Sequence, residues 1–84
     1  MNSKNRKTLE AVFSHPTKSN IKWTDVKNLL LAVGAEKIEC EGSRVCFVKG
    51  NVRMAFHRPH PGKEVKPYQV EAARDFLLTL EVTP

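Results

Sequence analysis

The sequence has no long hydrophobic run, and this absence excludes whole classes of protein. No apolar stretch reaches the roughly 20 residues that cross a membrane as a helix, and no signal-peptide pattern occurs near the N-terminus. We therefore expect a cytoplasmic protein without a membrane anchor. There is also no internal repeat and no low-complexity tract, so the 84 residues are expected to form one small domain.

Cysteine is scarce as well. Cys40 and Cys46 are the only two cysteines, and their spacing matches neither a disulfide framework nor a CxxC motif. Two reduced thiols are the expectation for a cytoplasmic protein. A zinc site built from Cys46, His57 and His60 is the alternative, but it has no fourth ligand and no recognised ligand spacing. We therefore predict no metal and no other cofactor.

Acidic residues are few relative to basic ones. The chain has 9 Asp and Glu against 14 Lys and Arg, a formal charge of +5, and a pI near 9.5. This balance favours a polyanionic partner, above all nucleic acid, although an anionic membrane or an acidic protein would also fit. A hydrophobic content of 40% is enough for a modest core and argues against a disordered chain.

Apolar residues at helical spacing predict two amphipathic helices that flank a strand region. The first is expected between Thr24, a good N-cap, and Gly34, a typical C-terminal stop, with Trp23 packed against its first turns. The second begins at Pro67, which suits a first helical turn. A short basic helix over residues 5–14 precedes both. The apolar stripes are Val26, Leu29, Leu30 and Val33 in the first helix and Val70, Ala73, Leu77 and Leu80 in the second.

Three short strands are predicted between the helices. A two-residue turn at Gly50-Asn51 joins the last two strands, and it fixes their register so that Arg44 lies opposite His57. One face of this hairpin is apolar and must be covered by the helices, whereas the other is polar and faces water. The apolar face carries Val45, Phe47, Met54 and Phe56, the polar face carries Arg44, Arg53 and His57, and the strands span 36–40, 44–49 and 52–57.

The loop between the first two strands allows two registers. A three-residue loop would turn Ile38 outward, whereas the four-residue loop "CEGS" would pair Ile38 with Val45 on the apolar face. Because burial of an apolar side chain is favourable, we predict the four-residue loop. The complete order is α-β-β-β-α after a short N-terminal helix. This is an α+β fold with two helices on one face of a three-stranded antiparallel sheet.

Three motifs of the chain are similar to motifs of one family. The helix end "LLAVGA", the pair Gly42-Ser43 before the central strand and the segment "HPGKEVKP" before the last helix resemble the HicA toxins. The resemblance implies a fold like that of a double-stranded-RNA-binding domain in residues 23–84, after an N-terminal helical extension and linker in residues 1–22. It also implies a toxin endoribonuclease that cleaves mRNA, inhibits translation and growth, and is neutralised by a HicB-type antitoxin.

One position departs from the family pattern. The family's central strand begins with Gly-Ser-His, and that histidine is taken as catalytic, whereas this chain has Arg44 there. His60, which precedes "PGKE", matches a histidine that many members carry. Because the predicted register places His57 opposite Arg44, our hypothesis is that His57 acts in place of the family's usual histidine.

Metal-free cleavage of RNA gives these residues their roles. The 2′-hydroxyl is the nucleophile, so a base must remove its proton, an acid must serve the leaving oxygen, and cations must offset charge on the phosphate. Histidine can take either proton role near neutral pH. We assign His57 as base or acid, His60 as second proton-transfer group or phosphate ligand, and Arg44 as phosphate clamp. The other predicted RNA-binding residues are Ser43, Arg53, Arg58, Lys63 and Lys66.

Two other functions fit the same sequence. One is a non-catalytic RNA-binding module of the same fold, which the loss of the usual histidine at Arg44 favours. The segment "HRPHP" would then be a polar strand exit or a contact surface. The other is a domain whose basic surface binds an acidic protein and never touches RNA. Salt-dependent RNA binding would separate these two, and cleavage would separate the nuclease from both.

Overall fold

The order of helices and strands is the one that the sequence predicts. A computed structural model describes residues 1–42, 44–57 and 63–84, and within them three helices and one three-stranded antiparallel sheet form an α+β fold. Within these ranges, no helix has both the length and the apolar character needed to span a membrane. The elements are α1 (Ser3–Val12), α2 (Trp23–Ala32), β1 (Glu36–Glu39), β2 (Arg44–Lys49), β3 (Val52–His57) and α3 (Pro67–Thr79), and the strand order is β1-β2-β3.

The hairpin of β2 and β3 has the predicted register. Gly50, at φ +60°, and Asn51 form the turn, and Gly favours such a turn because a positive φ costs it little. Arg44 pairs with His57 at the open end of the hairpin. The inner face is covered by helices and the outer face is open, as expected. Val45, Phe47 and Phe56 are buried on the inner face with Met54 half-buried, whereas Arg44, Arg53 and His57 are exposed on the outer face.

The register of β1 differs from the prediction. Ile38 pairs with Cys46 on the open face, and the amide of Cys40 donates to the carbonyl of Arg44 at 3.3 Å, so the loop has three residues rather than four. Gly42, at φ +69°, permits this tight turn. The prediction was wrong because it assumed that burial decides the register. Every residue of β1 is exposed, so this edge strand would gain little from turning Ile38 inward.

Trp23 packs in the core at the start of α2, as predicted. Its ring meets those of Phe47 and Phe56 edge-on, with centroids 6.0 and 5.6 Å apart, and such pairs contribute about 0.5–1.5 kcal/mol beyond the area they bury. The predicted cap was wrong, because Lys22 is the N-cap and Thr24 lies inside the first turn. The aromatic cluster therefore anchors the first residue of α2 to the inner face of the sheet.

Backbone pairing replaces the predicted side-chain cap of α2. The amide of Trp23 donates to the carbonyl of Lys63 at 3.0 Å, and the amide of Val65 donates to the carbonyl of Ile21 at 2.8 Å. The Lys63 carbonyl thus satisfies an amide that has no partner within the helix. The same two bonds fix the segment that leads into α3 against the start of α2.

The predicted boundaries at Gly34 and Pro67 are confirmed. Gly34, at φ +100°, follows the C-cap Val33, where a left-handed residue is the usual helix stop. Pro67 is the first residue of α3, after the N-cap Lys66. Both apolar stripes face the core, since the buried residues include Val26, Leu29 and Leu30 of α2 and Val70, Ala73, Phe76 and Leu77 of α3.

Helix α1 packs on both of the other helices. It begins and ends two residues before the predicted range of 5–14, and its Leu9 and Val12 are buried in the common core. Arg74 of α3 donates from Nε to the carbonyl of Val12 at 2.9 Å and from Nη2 to Oγ1 of Thr17 at 3.2 Å. The N-terminal helix is thus attached to α3 by a guanidinium as well as by apolar packing.

Candidate nucleic-acid interface

The open face of the sheet brings together three of the predicted site residues. Arg44 begins β2, His57 ends β3, and the two are directly opposed across the hairpin. Opposed residues on one face of an antiparallel pair have Cβ atoms about 4.5–5.5 Å apart, and both side chains are exposed. Arg53 lies on the same face, nearer the turn. One imidazole and two guanidinium groups therefore share a single solvent-facing surface.

A buried glutamine from α3 holds the backbone of His57. Gln69 is only 4% exposed. Its Nε2 donates to the His57 carbonyl at 3.2 Å, and its Oε1 accepts from the amide of Lys66 at 2.8 Å. Removing this buried amide leaves its partners at both the nitrogen and the oxygen without their bonds, so this contact is costly to break. The end of β3 is thereby fixed to the start of α3.

Lys63 and Lys66 lie on the segment that leads into α3. Both lysines are exposed. The backbone of Lys66 is tied through Gln69 to His57, whereas the carbonyl of Lys63 is tied to Trp23 at the start of α2. The structure thus places Lys66 beside the end of β3 and anchors Lys63 next to a different element.

Three predicted site residues lie outside the described residues. They are Ser43, Arg58 and His60, and their roles stay predictions. Arg44 directly follows the first of them, and His57 directly precedes the second. The described part of the predicted site is therefore the set Arg44, Arg53, His57, Lys63 and Lys66.

The two cysteines form a disulfide on the open face, which contradicts the prediction of reduced thiols. Cys40 follows β1, Cys46 lies within β2, and their Cα atoms are 6.0 Å apart. The three-residue loop explains the bond, because it places both cysteines diagonally on one face of the sheet. Arg53 donates from Nη2 to the sulfur of Cys40 at 3.6 Å and to that of Cys46 at 3.5 Å. With its sulfur bonded to Cys40, Cys46 is not free to act as the zinc ligand of the alternative prediction.

An open cavity of about 450 Å³ lies over this disulfide. Its lining includes Arg44, Arg53, Glu39 and Glu41. Guanidinium groups offer forked donors that match phosphate oxygens. The arginines of this lining therefore carry donors of the kind that bind phosphate.

Sequence reasoning missed Gln69 and the disulfide. Gln69 stands three residues after the N-cap Lys66, the position from which a Glu or Gln side chain reaches back to the cap amide. That spacing could have predicted the bond from the Lys66 amide to Gln69. The bond from Gln69 to His57 depends on the tertiary fold and has no signal in the sequence. The disulfide between Cys40 and Cys46 follows from the three-residue loop, which the burial argument had rejected.

Comparison with known proteins gives a match over the region that builds this face. Residues 23–76 match the family model described as HicA toxin of bacterial toxin-antitoxin. The matched range covers more than half of the chain and contains α2, the whole sheet and most of α3. No curated protein sequence and no solved structure matches the chain significantly.

Proposed function

The chain belongs to the HicA toxin family of bacterial toxin–antitoxin systems, and we propose that it is a metal-independent endoribonuclease that cleaves mRNA. Cleavage of mRNA would inhibit translation and growth. The observation that carries the proposal is the pairing of His57 with Arg44 at the open end of the β2–β3 hairpin. A proton-transfer group beside a phosphate clamp is the core of what attack by a 2′-hydroxyl requires.

His57 is the proposed proton-transfer group of the reaction. It removes the proton of the attacking 2′-hydroxyl or supplies one to the leaving 5′-oxygen, and His60 takes the complementary role or binds the phosphate. Arg44 donates to the non-bridging phosphate oxygens, where negative charge grows as the 2′-oxygen attacks. The support is the exposure of both side chains on the open face, since an RNA strand can approach them there.

The remaining cations are proposed to bind the RNA backbone. Arg53 lies on the open face with His57, and Lys66 is linked to the end of β3 through Gln69. Together with Lys63 they give a positive track along which phosphates can lie. Ser43 and Arg58 complete the set that we propose to contact RNA.

We also propose a HicB-type antitoxin as the protein partner and the cytoplasm as the location. An acidic partner over the open face would hide His57 and Arg44 and offset the formal charge of +5. We assign these activities to residues 23–84, with residues 1–22 as an N-terminal extension and linker.

Cleavage of a labelled single-stranded RNA in the presence of EDTA tests the proposal. Wild type, His57→Ala and His60→Ala are compared with His15→Ala, which removes the third histidine of the chain at an exposed position between α1 and α2. Loss of a general acid or base is expected to slow cleavage about 10²–10⁴-fold. We expect this loss for His57→Ala and His60→Ala and full activity for His15→Ala. Wild-type rates in His57→Ala would exclude the assigned role.

Arg44 itself favours a second candidate function. An arginine in place of the family's usual histidine suits a protein that binds RNA without cleaving it. In that case wild type binds the RNA in a salt-dependent manner, but the labelled strand stays intact at every protein concentration. This result would mean that the open face binds RNA without cleaving it, and the proposed RNA contacts would remain valid.

A further inference from the structure

We propose that the bond between Cys40 and Cys46 is a reversible thiol-exchange site, opened by a dithiol reductant, and that its opening weakens RNA binding on the open face. The second half rests on the proposed function. In a reducing cytoplasm, disulfides that do form are usually transient, catalytic or redox-sensing. This disulfide lies on the face that carries Arg44 and His57, so its state has a direct route to the proposed site.

The two cysteines differ in exposure. Cys46 is 2% exposed within the central strand, whereas Cys40 is half-buried at the exit of the edge strand. Both line the open cavity of about 450 Å³, which admits a small thiol or the tip of a protein dithiol. Attack by an incoming thiolate is therefore directed at the sulfur of Cys40.

The exchange proceeds in two balanced steps. A thiolate of the reductant attacks Sγ of Cys40, forms a mixed disulfide, and breaks the original bond so that Cys46 leaves as a thiolate. The second thiol of the reductant, as a thiolate, then attacks the reductant's own sulfur in the mixed disulfide and releases Cys40. Two electrons pass to the cysteine pair and the reductant becomes a disulfide. One of its two protons ends on Cys40 and the other passes to solvent, because Cys46 stays a thiolate beside Arg53.

Arg53 assists the first step by its position. Its Nη2 lies 3.5 Å from Sγ of Cys46, the sulfur that leaves as a thiolate. A neighbouring guanidinium stabilises a thiolate, and a thiol that ionises more readily is a faster leaving group. Because the guanidinium of Arg53 contacts both sulfurs, this disulfide is suited to thiol exchange.

The same contact links the redox state to RNA binding. The sulfurs of a disulfide are neutral and weak acceptors, so they leave the charge of Arg53 available to a phosphate. After reduction, a thiolate at Cys46 pairs with Arg53 and competes with the phosphate. Reduction also removes the covalent link between Cys40 and the strand that begins at Arg44. Loss of one charge-assisted contact corresponds to roughly tenfold weaker binding.

Thiol release measures the exchange site without RNA. Oxidised wild type, Arg53→Ala and Arg6→Ala are treated with dithiothreitol under native conditions, and alkylated thiols are counted over time by intact mass. Arg6 is an exposed arginine on α1 and serves as the matched control. We expect release of both thiols in wild type, roughly fivefold slower release in Arg53→Ala, and wild-type kinetics in Arg6→Ala. Release only after denaturation, or no effect of Arg53→Ala, would overturn the exchange site.

RNA binding measures the consequence. The affinity for a labelled single-stranded RNA is determined at one salt concentration for oxidised and reduced wild type and for the double variant Cys40→Ser/Cys46→Ser, whose fold is checked by circular dichroism. We expect about tenfold weaker binding by the reduced protein and no effect of dithiothreitol on the double variant. Equal affinities of both wild-type forms would overturn the regulation, as would a reductant effect in the double variant. Absence of RNA binding in both forms counts against the proposed function, and thiol release then decides the exchange site alone.

Discussion

The carbonyl of His57 accepts a hydrogen bond from Nε2 of Gln69, 3.2 Å away. Because Oε1 of the same side chain accepts from the amide of Lys66, one buried group sets the position of the strand end relative to α3. The position of the proposed catalytic histidine is thus fixed both by strand pairing with β2 and by the hydrogen bond to α3.

Gln69→Met should reduce both stability and cleavage. Methionine has a similar length but leaves the His57 carbonyl and the Lys66 amide unsatisfied, so the free energy of unfolding should fall by about 1–3 kcal/mol. If Gln69 positions His57, kcat should fall while KM changes little. Urea unfolding and steady-state cleavage measure the two effects.

Tyr68→Phe is the control for this substitution. It removes a polar group from the same helical turn, but Tyr68 is 57% exposed, so neither stability nor kcat should change. An unchanged kcat in Gln69→Met, despite the lower stability, would make Gln69 a structural residue with no part in the reaction.

The two faces of the sheet should differ sharply in their tolerance of truncation. Phe47 is fully buried on the inner face, so Phe47→Ala should lower the free energy of unfolding by about 3–5 kcal/mol. Ile38 is 44% exposed on the open face, and Ile38→Ala should change it by about 0.5 kcal/mol or less. Chemical denaturation of both variants checks the register. A large loss of stability in Ile38→Ala would mean that Ile38 lies on the inner face.

Arg74→Met should loosen α1 from the rest of the fold. The guanidinium of Arg74 holds the carbonyl of Val12 and the hydroxyl of Thr17, and its loss should cost about 1–2 kcal/mol. Hydrogen exchange should accelerate in α1 and in the loop that follows it. Arg6→Met, at an exposed position of α1, should leave hydrogen exchange unchanged. If exchange in α1 is as slow in Arg74→Met as in wild type, apolar packing alone holds α1.

RNA binding should carry the electrostatic signature of the proposed contacts. For single strands, each phosphate contact contributes about 0.7 to the slope of log K against log salt. Arg53→Ala and Lys66→Ala should each reduce the magnitude of the slope by about this amount, and Lys7→Ala on α1 should not. Equal slopes in all of these variants would place the RNA on another surface.

How much of the site the sequence predicts depends on the kind of turn. Gly50-Asn51 is a two-residue turn that permits one register, so the pairing of Arg44 with His57 followed from the sequence. The loop before Arg44 permits two registers, and the burial rule that chose between them fails at an uncovered edge strand. The disulfide and its contact with Arg53 depend on that register, so the same error concealed them. Thr24 shows a further limit, because the backbone of Lys63, distant in sequence, satisfies the amide of Trp23 at the helix start.

Transfer of the histidine across the hairpin tests the central hypothesis most directly. If His57 replaces the family's usual histidine, the position at Arg44 should still accept that histidine, because the two residues are directly opposed. His57→Ala should be inactive, and the double variant Arg44→His/His57→Ala should recover part of the cleavage.

Recovery is expected to be partial, because the exchange also removes the phosphate clamp that Arg44 provides. Arg44→Ala/His57→Ala is the control and should stay inactive, which separates the gain of an imidazole from the loss of an arginine. Cleavage of labelled RNA in EDTA, with RNA affinity measured in parallel, distinguishes the outcomes. A double variant that binds RNA but does not cleave it would contradict the hypothesis that His57 acts in place of the family's usual histidine.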